Sequence, residues 1–395
     1  MARRVEEMQH DQACARPLKG RDTLHIIPDD KFTRDIVASF ERFAPQRNRY
    51  IAVSAGPDQL HQSLHETSLE RVSRRDAIRI VSSPQWRLVI FHSLPWSAYS
   101  VLRAVRPGPI VFWRIWGYEV YGSLLRGDHG FPEGFLEPQT RKLVFDGRKT
   151  SIIRHLHSLR RSVKRVLARV MLRRVDIVAP VIPVEGRVLL EKNPWLRPTL
   201  TEWEYPAGDD QQVSPREARL PYLLDKGVSF GILGHSGDPR NNHLDAAILL
   251  QDSQIWQSVD RVVVPVSYGA GGYIAKLRQQ IRQIIPNAVF LGEFISPVVY
   301  SALIRNAKFI VHFGLRQIGM GNINIALEAE TPIILNPMGI VKRHFGEIGY
   351  QAFTAEQLMT LDGDRIAEVL RGNKLKRVAE QKRVSEIMAQ FIESL

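Results

Sequence analysis

The residues of this chain that can do chemistry fall into two loops and one aromatic tract. The first loop is Gly234-His235-Ser236-Gly237-Asp238, continued by Arg240-Asn241-Asn242-His243. It follows an apolar run, Val228–Leu233, and precedes an amphipathic stretch. A strand, a glycine turn and a helix start together favour an anion, because glycines let the backbone approach phosphate and unpaired N–H groups face it. Gly234, Ser236, Gly237, Asp238, Arg240, Asn241 and His243 are the candidate ligand contacts, with Arg240 supplying positive charge. The second loop, Arg316-Gln317-Ile318-Gly319-Met320-Gly321-Asn322, repeats the arrangement after Phe309–Phe313. Here Arg316, Gln317, Gly319, Gly321 and Asn322 are the candidates, and Arg316 is placed to neutralise a diphosphate. Either loop alone is also what an ordinary strand-to-helix turn requires. Two of them in one half of the chain favour a nucleotide-diphosphate pocket at the C-terminal ends of the strands, where open α/β sheets bind ligands. Tyr268, after the strand Val262–Pro265, falls on the same edge.

The tract Trp113-Arg114-Ile115-Trp116-Gly117-Tyr118-Glu119-Val120-Tyr121-Gly122 ends a strand in the first half. Aromatic faces stack on the apolar faces of sugar rings, and polar neighbours fix hydroxyls. Trp113, Arg114, Trp116, Gly117 and Tyr121 are read as acceptor contacts. Glu119 is the candidate general base for an acceptor hydroxyl, and His92, after Leu88–Phe91, is the reserve. The competing reading is a hydrophobic plug in which Glu119 pairs with Arg114. No HxxH, HExxH or CxxC spacing occurs, so no metal site is expected and no cofactor is invoked. Asp29-Asp30 and Asp209-Asp210 lack the strand-end context of a metal-binding carboxylate pair, and no GxSxG elbow is present.

The elements that must position these residues alternate along the chain. Apolar runs at Thr23–Ile27, Tyr50–Val53, Leu88–Phe91, Ile110–Trp113 and Val175–Ala179 read as buried strands, with helices at Phe32–Phe43 and Trp96–Val105. The alternation restarts with strands at Val228–Leu233, Val262–Pro265, Val289–Leu291, Phe309–Phe313 and Ile333–Leu335. Helices are expected at Leu244–Gln251, Tyr273–Ile284, Pro297–Arg305, Ile323–Ala329 and Arg365–Leu395. This is the pattern of parallel sheets with crossover helices. The 395 residues suit two domains. The expected division is a loose tail over 1–21, a Rossmann-like domain over 22–195, a proline-rich linker over 196–227, a second Rossmann-like domain over 228–364 and a helical segment over 365–395.

Lys and Arg number 54 against 41 Asp and Glu, a net charge of +13. That balance asks for an anionic partner: phosphorylated substrate, acidic membrane or nucleic acid. No helix-turn-helix, RNP or KH signature supports nucleic acid. The stretch 151–174 carries an apolar stripe (Ile152, Leu156, Leu159, Val163, Val166, Leu167, Val170) beside Arg154, Arg161, Lys164, Arg165, Arg169 and Arg173, with no acidic residue. It reads either as a core-packed helix with a solvated basic face or as a helix lying on anionic lipid. No run approaches the ~20 apolar residues of a membrane-spanning helix. The one cysteine, Cys14, excludes an internal disulfide.

These residues resemble the TDP-N-acetylfucosamine:lipid II N-acetylfucosaminyltransferases. The resemblance rests on Trp113, Ile115, Trp116, Gly117, Glu119 and Tyr121, then Ser236, Gly237, Asp238, Asn241 and His243. It continues through Val262–Pro265 with Tyr268, then Arg316, Gln317, Gly319 and Gly321, and Pro332, Leu335 and Asn336; His92 also falls on a family histidine. Arg114 and Glu119 depart from the family's histidine and aspartate. The resemblance implies an α/β chain of the GT-B fold, two Rossmann-like domains with parallel sheets facing a central cleft. The implied donor is dTDP-4-acetamido-4,6-dideoxygalactose or a close nucleotide deoxyaminosugar, bound mainly by the second domain. The implied acceptor is an undecaprenyl-diphosphate-linked saccharide bound by the first, at the cytoplasmic face of a bacterial inner membrane in surface-polysaccharide synthesis. Two other readings stand beside it: an epimerase of nucleotide-sugars on the same fold, and a basic nucleic-acid-binding protein.

Overall fold

The computed structural model describes residues 21–28, 33–53, 69–121, 124–125, 135–145, 166–204 and 227–394. Cys14, the tail before Arg21, Asp29-Asp30, Gly122, residues 151–165 of the basic stretch and Asp209-Asp210 lie outside them. The chain divides into two compact units. Described residues 21–125, 166–204 and 384–394 belong to the first, and 135–145 and 227–383 to the second.

The first unit is built on a wholly parallel sheet of order β3-β2-β1-β4-β5-β6-β7. Its strands are β1 (Thr23–Ile26), β2 (Asn48–Val53), β3 (Leu69–Val72), β4 (Leu88–Phe91), β5 (Ile110–Ile115), β6 (Ile177–Pro180) and β7 (Thr199–Leu200). Strand alternation sends successive side chains to opposite faces. Val89, Phe91, Val111 and Trp113 therefore enter one core with Leu24, Ile26 and Leu172. Leu88, Ile90 and Phe112 enter the other, against Ile36 and Phe40 of α1 (Thr33–Phe43) and Trp203. The chain order changes direction between β1 and β4, which creates a switch point at the C-terminal edge.

The second unit repeats the scheme with five parallel strands of order β10-β9-β8-β11-β12: β8 (Phe230–Leu233), β9 (Arg261–Pro265), β10 (Ala288–Leu291), β11 (Phe309–His312) and β12 (Ile333–Leu335). Its switch point lies between β8 and β11, which pair directly, Phe309 opposite Gly231 and Val311 opposite Leu233. The two half-Rossmann sheets expected from the alternation are thus both present.

Several elements differ from the sequence expectation. Leu69–Val72 reads as polar, yet it forms the edge strand β3. An edge strand needs less apolar character, and Arg49 of β2 grips Glu70 across the pair at 2.7 and 2.9 Å. The proline-rich 196–227 was expected to be linker. Its first residues instead add β7 to the sheet and bury Trp203 against Phe40, because Leu196, Leu200 and Trp203 supply apolar contacts. Helix α4 (Pro138–Phe145) falls in the expected acceptor domain by position but packs in the second unit, with Leu143 and Val144 against the core of β9 and β11. Among the described residues of the basic stretch, 166–171 are helical and Leu172–Arg174 form a 3-10 turn. The apolar stripe is not core-packed there: Val166 is 61 % and Val170 57 % exposed, while Ala168 and Leu172 face the core.

The 31-residue helix Gly363–Glu393 runs from the second unit into the first. Val384, Met388 and Ile392 recur every four residues on one face and enter the core of Phe40, Phe112 and Trp203.

Candidate functional site

The second sheet's C-terminal edge carries the two glycine loops. Gly234 leaves β8 with φ +71°, a backbone region that L side chains rarely adopt, and donates its N–H to the Val311 carbonyl at 2.9 Å. A Cβ there would strike the His243 ring. Gly237 donates to the Tyr268 carbonyl at 2.7 Å, and Ala270 donates back to Gly237. A side chain on Gly269 would collide with the Gly237 backbone, so this glycine pair lets two loops touch. Buried Asn241 clamps the turn from within. Its Nδ2 donates to the Ser236 carbonyl (3.2 Å), Ser236 Oγ (3.1 Å) and the Asp238 carbonyl (3.0 Å). Tyr268 itself is exposed beside this turn.

Asp238 caps the 3-10 turn Pro239–Asn241. It accepts from Arg240 N (2.9 Å) and Nε (2.7 Å), and pairs with the other end of that guanidinium. Burial pushes the Asp238 carboxyl up, but the Arg240 hydrogen bond and charge, joined by the charge of Arg316, outweigh it and hold the group below its ordinary value. The positive charge that Arg240 was expected to bring to the loop is paired with Asp238 within it.

In the second loop Arg316 and Gln317 are buried. Gly319 (φ +60°) caps helix α9, Met320–Glu328, and carries no side chain to fill its N-terminus. Gly321, in the first turn, faces open space. Asn322 donates from Nδ2 to the Tyr300 hydroxyl at 3.0 Å. The backbone N–H groups of that first turn and the helix dipole favour an anion beside Gly319 and Gly321.

Three histidines stand behind these loops. His235 and His312 stack with centroids 5.8 Å apart and planes 10° from parallel. Gly319 fits against both rings: an added Cβ would lie 2.9 Å from His235 Nδ1 and 3.0 Å from His312 Nε2. His243 meets the Tyr273 hydroxyl at 3.2 Å. Burial lowers all three, His235 to about 3 and His243 and His312 to about 4, so they are neutral at pH 7. His312 was invisible in the sequence because it sits inside an apolar strand. No group of His, Cys, Asp and Glu suited to a metal ion occurs among the described residues.

The first sheet's C-terminal edge carries the aromatic tract. Trp113, read as a sugar platform, is 1 % exposed and belongs to the core, since its place on β5 points it inward. The exposed aromatics are Tyr118, at 53 %, and Trp96, which leans on Tyr99 at 5.0 Å. Tyr118 shares a hydrogen bond with Ser93, the residue after His92. Arg114 donates to the Ala179 and Pro180 carbonyls at 2.8 and 2.5 Å, tying β5 to the end of β6. Gly117 (φ +100°) makes the turn, and its carbonyl accepts from Val120 and Tyr121. Partly buried Trp116 packs against the core of the α1 face, and Tyr121 bridges to Leu125. Glu119 Oε1 accepts from Trp116 N at 3.0 Å and Trp113 Nε1 at 3.4 Å. Burial pushes its carboxyl above the ordinary range, against those hydrogen bonds.

His92 is fully buried in a side-chain relay. Asn48 Nδ2 donates to the Phe40 and Ala44 carbonyls and to Glu41 Oε1, which leaves its Oδ1 to accept from His25 Nε2 at 3.0 Å. His25 Nδ1 then has only a lone pair, so His92 Nε2, 2.9 Å away, donates to it. Burial is the main reason both rings lie below their ordinary range, His25 at about 3. The predicted residues thus assemble on two sheet edges, one in each unit.

Known proteins point the same way. Residues 217–382 match the family described as 4-alpha-L-fucosyltransferase, glycosyl transferase group 56. The whole chain is similar in fold to the Anabaena HepE protein solved with UDP and glucose: TM-score 0.62, 12 % identity, covering 95 % of this chain and 100 % of that one. It is also similar to an alpha,alpha-trehalose-phosphate synthase from Burkholderia vietnamiensis (TM-score 0.61, 9 % identity, 95 % and 100 % covered). Sucrose-phosphate synthase from Thermosynechococcus elongatus gives TM-score 0.57 at 12 % identity, with 94 % and 98 % covered. At these identities the likeness concerns the fold. Fold and family match together define a glycosyltransferase of the GT-B class. Within that class, residues 217–382 are similar to glycosyl transferase group 56.

Proposed function

We propose that this glycosyltransferase moves 4-acetamido-4,6-dideoxygalactose from a dTDP donor to an undecaprenyl-diphosphate-linked saccharide. The observation that carries the donor half is the pair of loops flanking the β8–β11 switch point, with Arg316 beside the open N-terminus of α9. A departing nucleoside diphosphate needs that charge and those N–H groups. A 6-deoxy-galactose skeleton also suits a family described by its fucosyl transfer. Gln317, Ser236 and Tyr268 complete the donor contacts.

In the reaction the acceptor hydroxyl oxygen bonds to the anomeric carbon, the bond from that carbon to the diphosphate oxygen breaks, and the hydroxyl proton passes to a base. Glu119 is that base. Burial raises its carboxyl above the ordinary range, which strengthens it as a proton acceptor, and the hydrogen bonds to Oε1 hold the carboxylate in place. Exposed Tyr118 and Trp96 take over from Trp113 as the surface on which the acceptor sugar rests.

No helix among the described residues is long and apolar enough to cross a membrane. The exposed Val166, Leu167 and Val170 alternate with exposed Arg169 and Arg173, the composition of a helix lying in an anionic lipid interface. The decisive experiment incubates the chain with dTDP- and UDP-sugars and a short-chain lipid-diphosphate acceptor and reads products by mass spectrometry. Transfer from dTDP-4-acetamido-4,6-dideoxygalactose is expected. Transfer only from a UDP-hexose would refute the donor, and sugar interconversion without acceptor would refute the reaction.

A further inference from the structure

The segment 135–145 lies far from the donor loops in sequence but is stitched into them. Asp245, in the first turn of α6 (His243–Leu249), caps α4 by accepting from Gln139 N and Thr140 N, each at 2.8 Å. Lys276 donates to the Leu143 carbonyl at the other end. This fixes the residue just before α4, Glu137, over the C-terminal edge of the second sheet. Its backbone N–H donates to Asn242 Oδ1 at 2.9 Å, and its Oε1 accepts from Asn336 Nδ2 at 3.0 Å. Both asparagines then donate to one acceptor, the Phe313 carbonyl, each at 3.2 Å. Asn242 ends the loop after β8, Phe313 begins the loop after β11, and Asn336 begins the loop after β12. One residue therefore joins all three loops, and Phe313 lies three residues before Arg316.

We infer that Glu137 is a positioning residue of the nucleotide-sugar site, holding Asn242 and Asn336 on the Phe313 carbonyl so that Arg316 and Gly319 stay in register with the β8 loop. The inference rests on the donor reading above. It follows from hydrogen-bond accounting. A peptide carbonyl has two lone pairs, and both of Phe313's are taken by side chains that Glu137 also engages, Asn242 through its backbone N–H and Asn336 through its carboxylate. Asn336 Oδ1 is already committed to Met338 N at 2.9 Å, so the amide cannot flip to repair a lost partner. Removing the Glu137 carboxylate leaves a largely buried Asn336 N–H with one acceptor fewer and loosens the start of the Arg316 loop. The ligand would then have to order that loop on binding, at a cost in affinity.

The test measures dTDP binding to the full chain by calorimetry, with melting temperature recorded for each variant. Glu137→Ala should weaken dTDP about 5- to 30-fold, the lower part of the range for an orphaned buried polar group. Glu137→Gln keeps an oxygen for Asn336 and should bind within about twofold of wild type. Glu137→Asp withdraws the acceptor but keeps the charge, and should weaken binding in the same direction if the alanine variant does not fold. Asn287→Ala is the control. Asn287 Nδ2 donates to the Trp256 and Val259 carbonyls, at 2.9 Å each, at the opposite end of the same sheet. It should lower the melting temperature and leave dTDP affinity unchanged. Wild-type affinity in Glu137→Ala, or an equal loss in Asn287→Ala, overturns the inference. If Arg316→Ala also binds dTDP normally, the donor reading falls with it; if only Arg316→Ala is impaired, the inference alone fails.

Discussion

Lowering the pH from 7 to 5 should destabilise the second unit far more than an average domain. His235, His243 and His312 ionise in the folded state at about 3, about 4 and about 4, against 6.5 for an unhindered histidine. The native state therefore binds fewer protons than the unfolded chain. Stability is fully present above about pH 6.5 and is lost as pH falls toward 3–4. At pH 5 a histidine that is protonated only when unfolded costs about 2 kcal/mol, since one pKa unit corresponds to 1.36 kcal/mol. Three of them cost about 6 kcal/mol, comparable with the 5–15 kcal/mol that holds a typical domain together. In the first unit His25 and His92 act in the same direction, while the raised carboxyl of Glu119 acts in the opposite one. Hydrogen-exchange mass spectrometry across a urea series separates the units, using peptides from β8–β12 and β1–β6. The second unit's midpoint should drop sharply between pH 7 and pH 5. His312→Gln should reduce that drop by about one third, because it removes one of three titrating groups. An unchanged midpoint at pH 5, or a pH dependence that His312→Gln leaves intact, would show that these rings are solvated.

Three further outcomes are expected. Arg316→Ala should weaken donor binding about 10- to 150-fold while the protein stays folded, because a hydrogen bond to a charged partner contributes roughly 1.5–3 kcal/mol; titration with dTDP reads it. Glu119→Gln keeps Oε1 for Trp116 N–H and removes the base, so turnover should fall about 100-fold or more with dTDP affinity intact; wild-type turnover would reduce Glu119 to a loop clamp. Flotation on anionic vesicles should be reversed by salt and weakened by Val166→Ser with Val170→Ser, whereas equal binding to neutral vesicles would refute the lipid contact.

The strands of both sheets were legible because a parallel sheet buried on two faces needs unbroken apolar runs such as Leu88–Phe91 and Val262–Pro265. β3 and β7 were not, since an edge strand with Glu70 and Arg71, or a two-residue strand, makes no such demand. The two glycine turns at the second sheet's edge were legible, and each of Gly234 and Gly319 has the positive φ that explains its type. What each polar residue does was less legible. Arg240 and Asp238 stand two residues apart, and sequence does not reveal that they satisfy each other. Trp113 and Tyr118 are both aromatic and five residues apart, and only the direction of β5 decides which one faces the core. Glu137 carried no local signal at all, because its partners lie 105 and 199 residues away.

That division between legible and hidden residues has a physical origin. A loop that must receive a charged diphosphate cannot leave its own polar groups to choose partners, since any alternative pairing would compete with the ligand. Here Asn241 holds the β8 turn, Asp238 neutralises Arg240, and Asn242 and Asn336 hold Phe313. The three histidines stay neutral behind them. Beside those committed groups lie a helix N-terminus capped by glycine and the open side of Gly321, with the buried guanidinium of Arg316 three residues before that glycine cap. A site arranged in this way is already ordered before the donor arrives, so binding energy is not consumed in building it. Substitutions in the clamp residues should therefore appear as weaker donor binding with the protein still folded, while substitutions in Arg316 should also slow the departure of the diphosphate, whose charge grows as the glycosyl bond breaks.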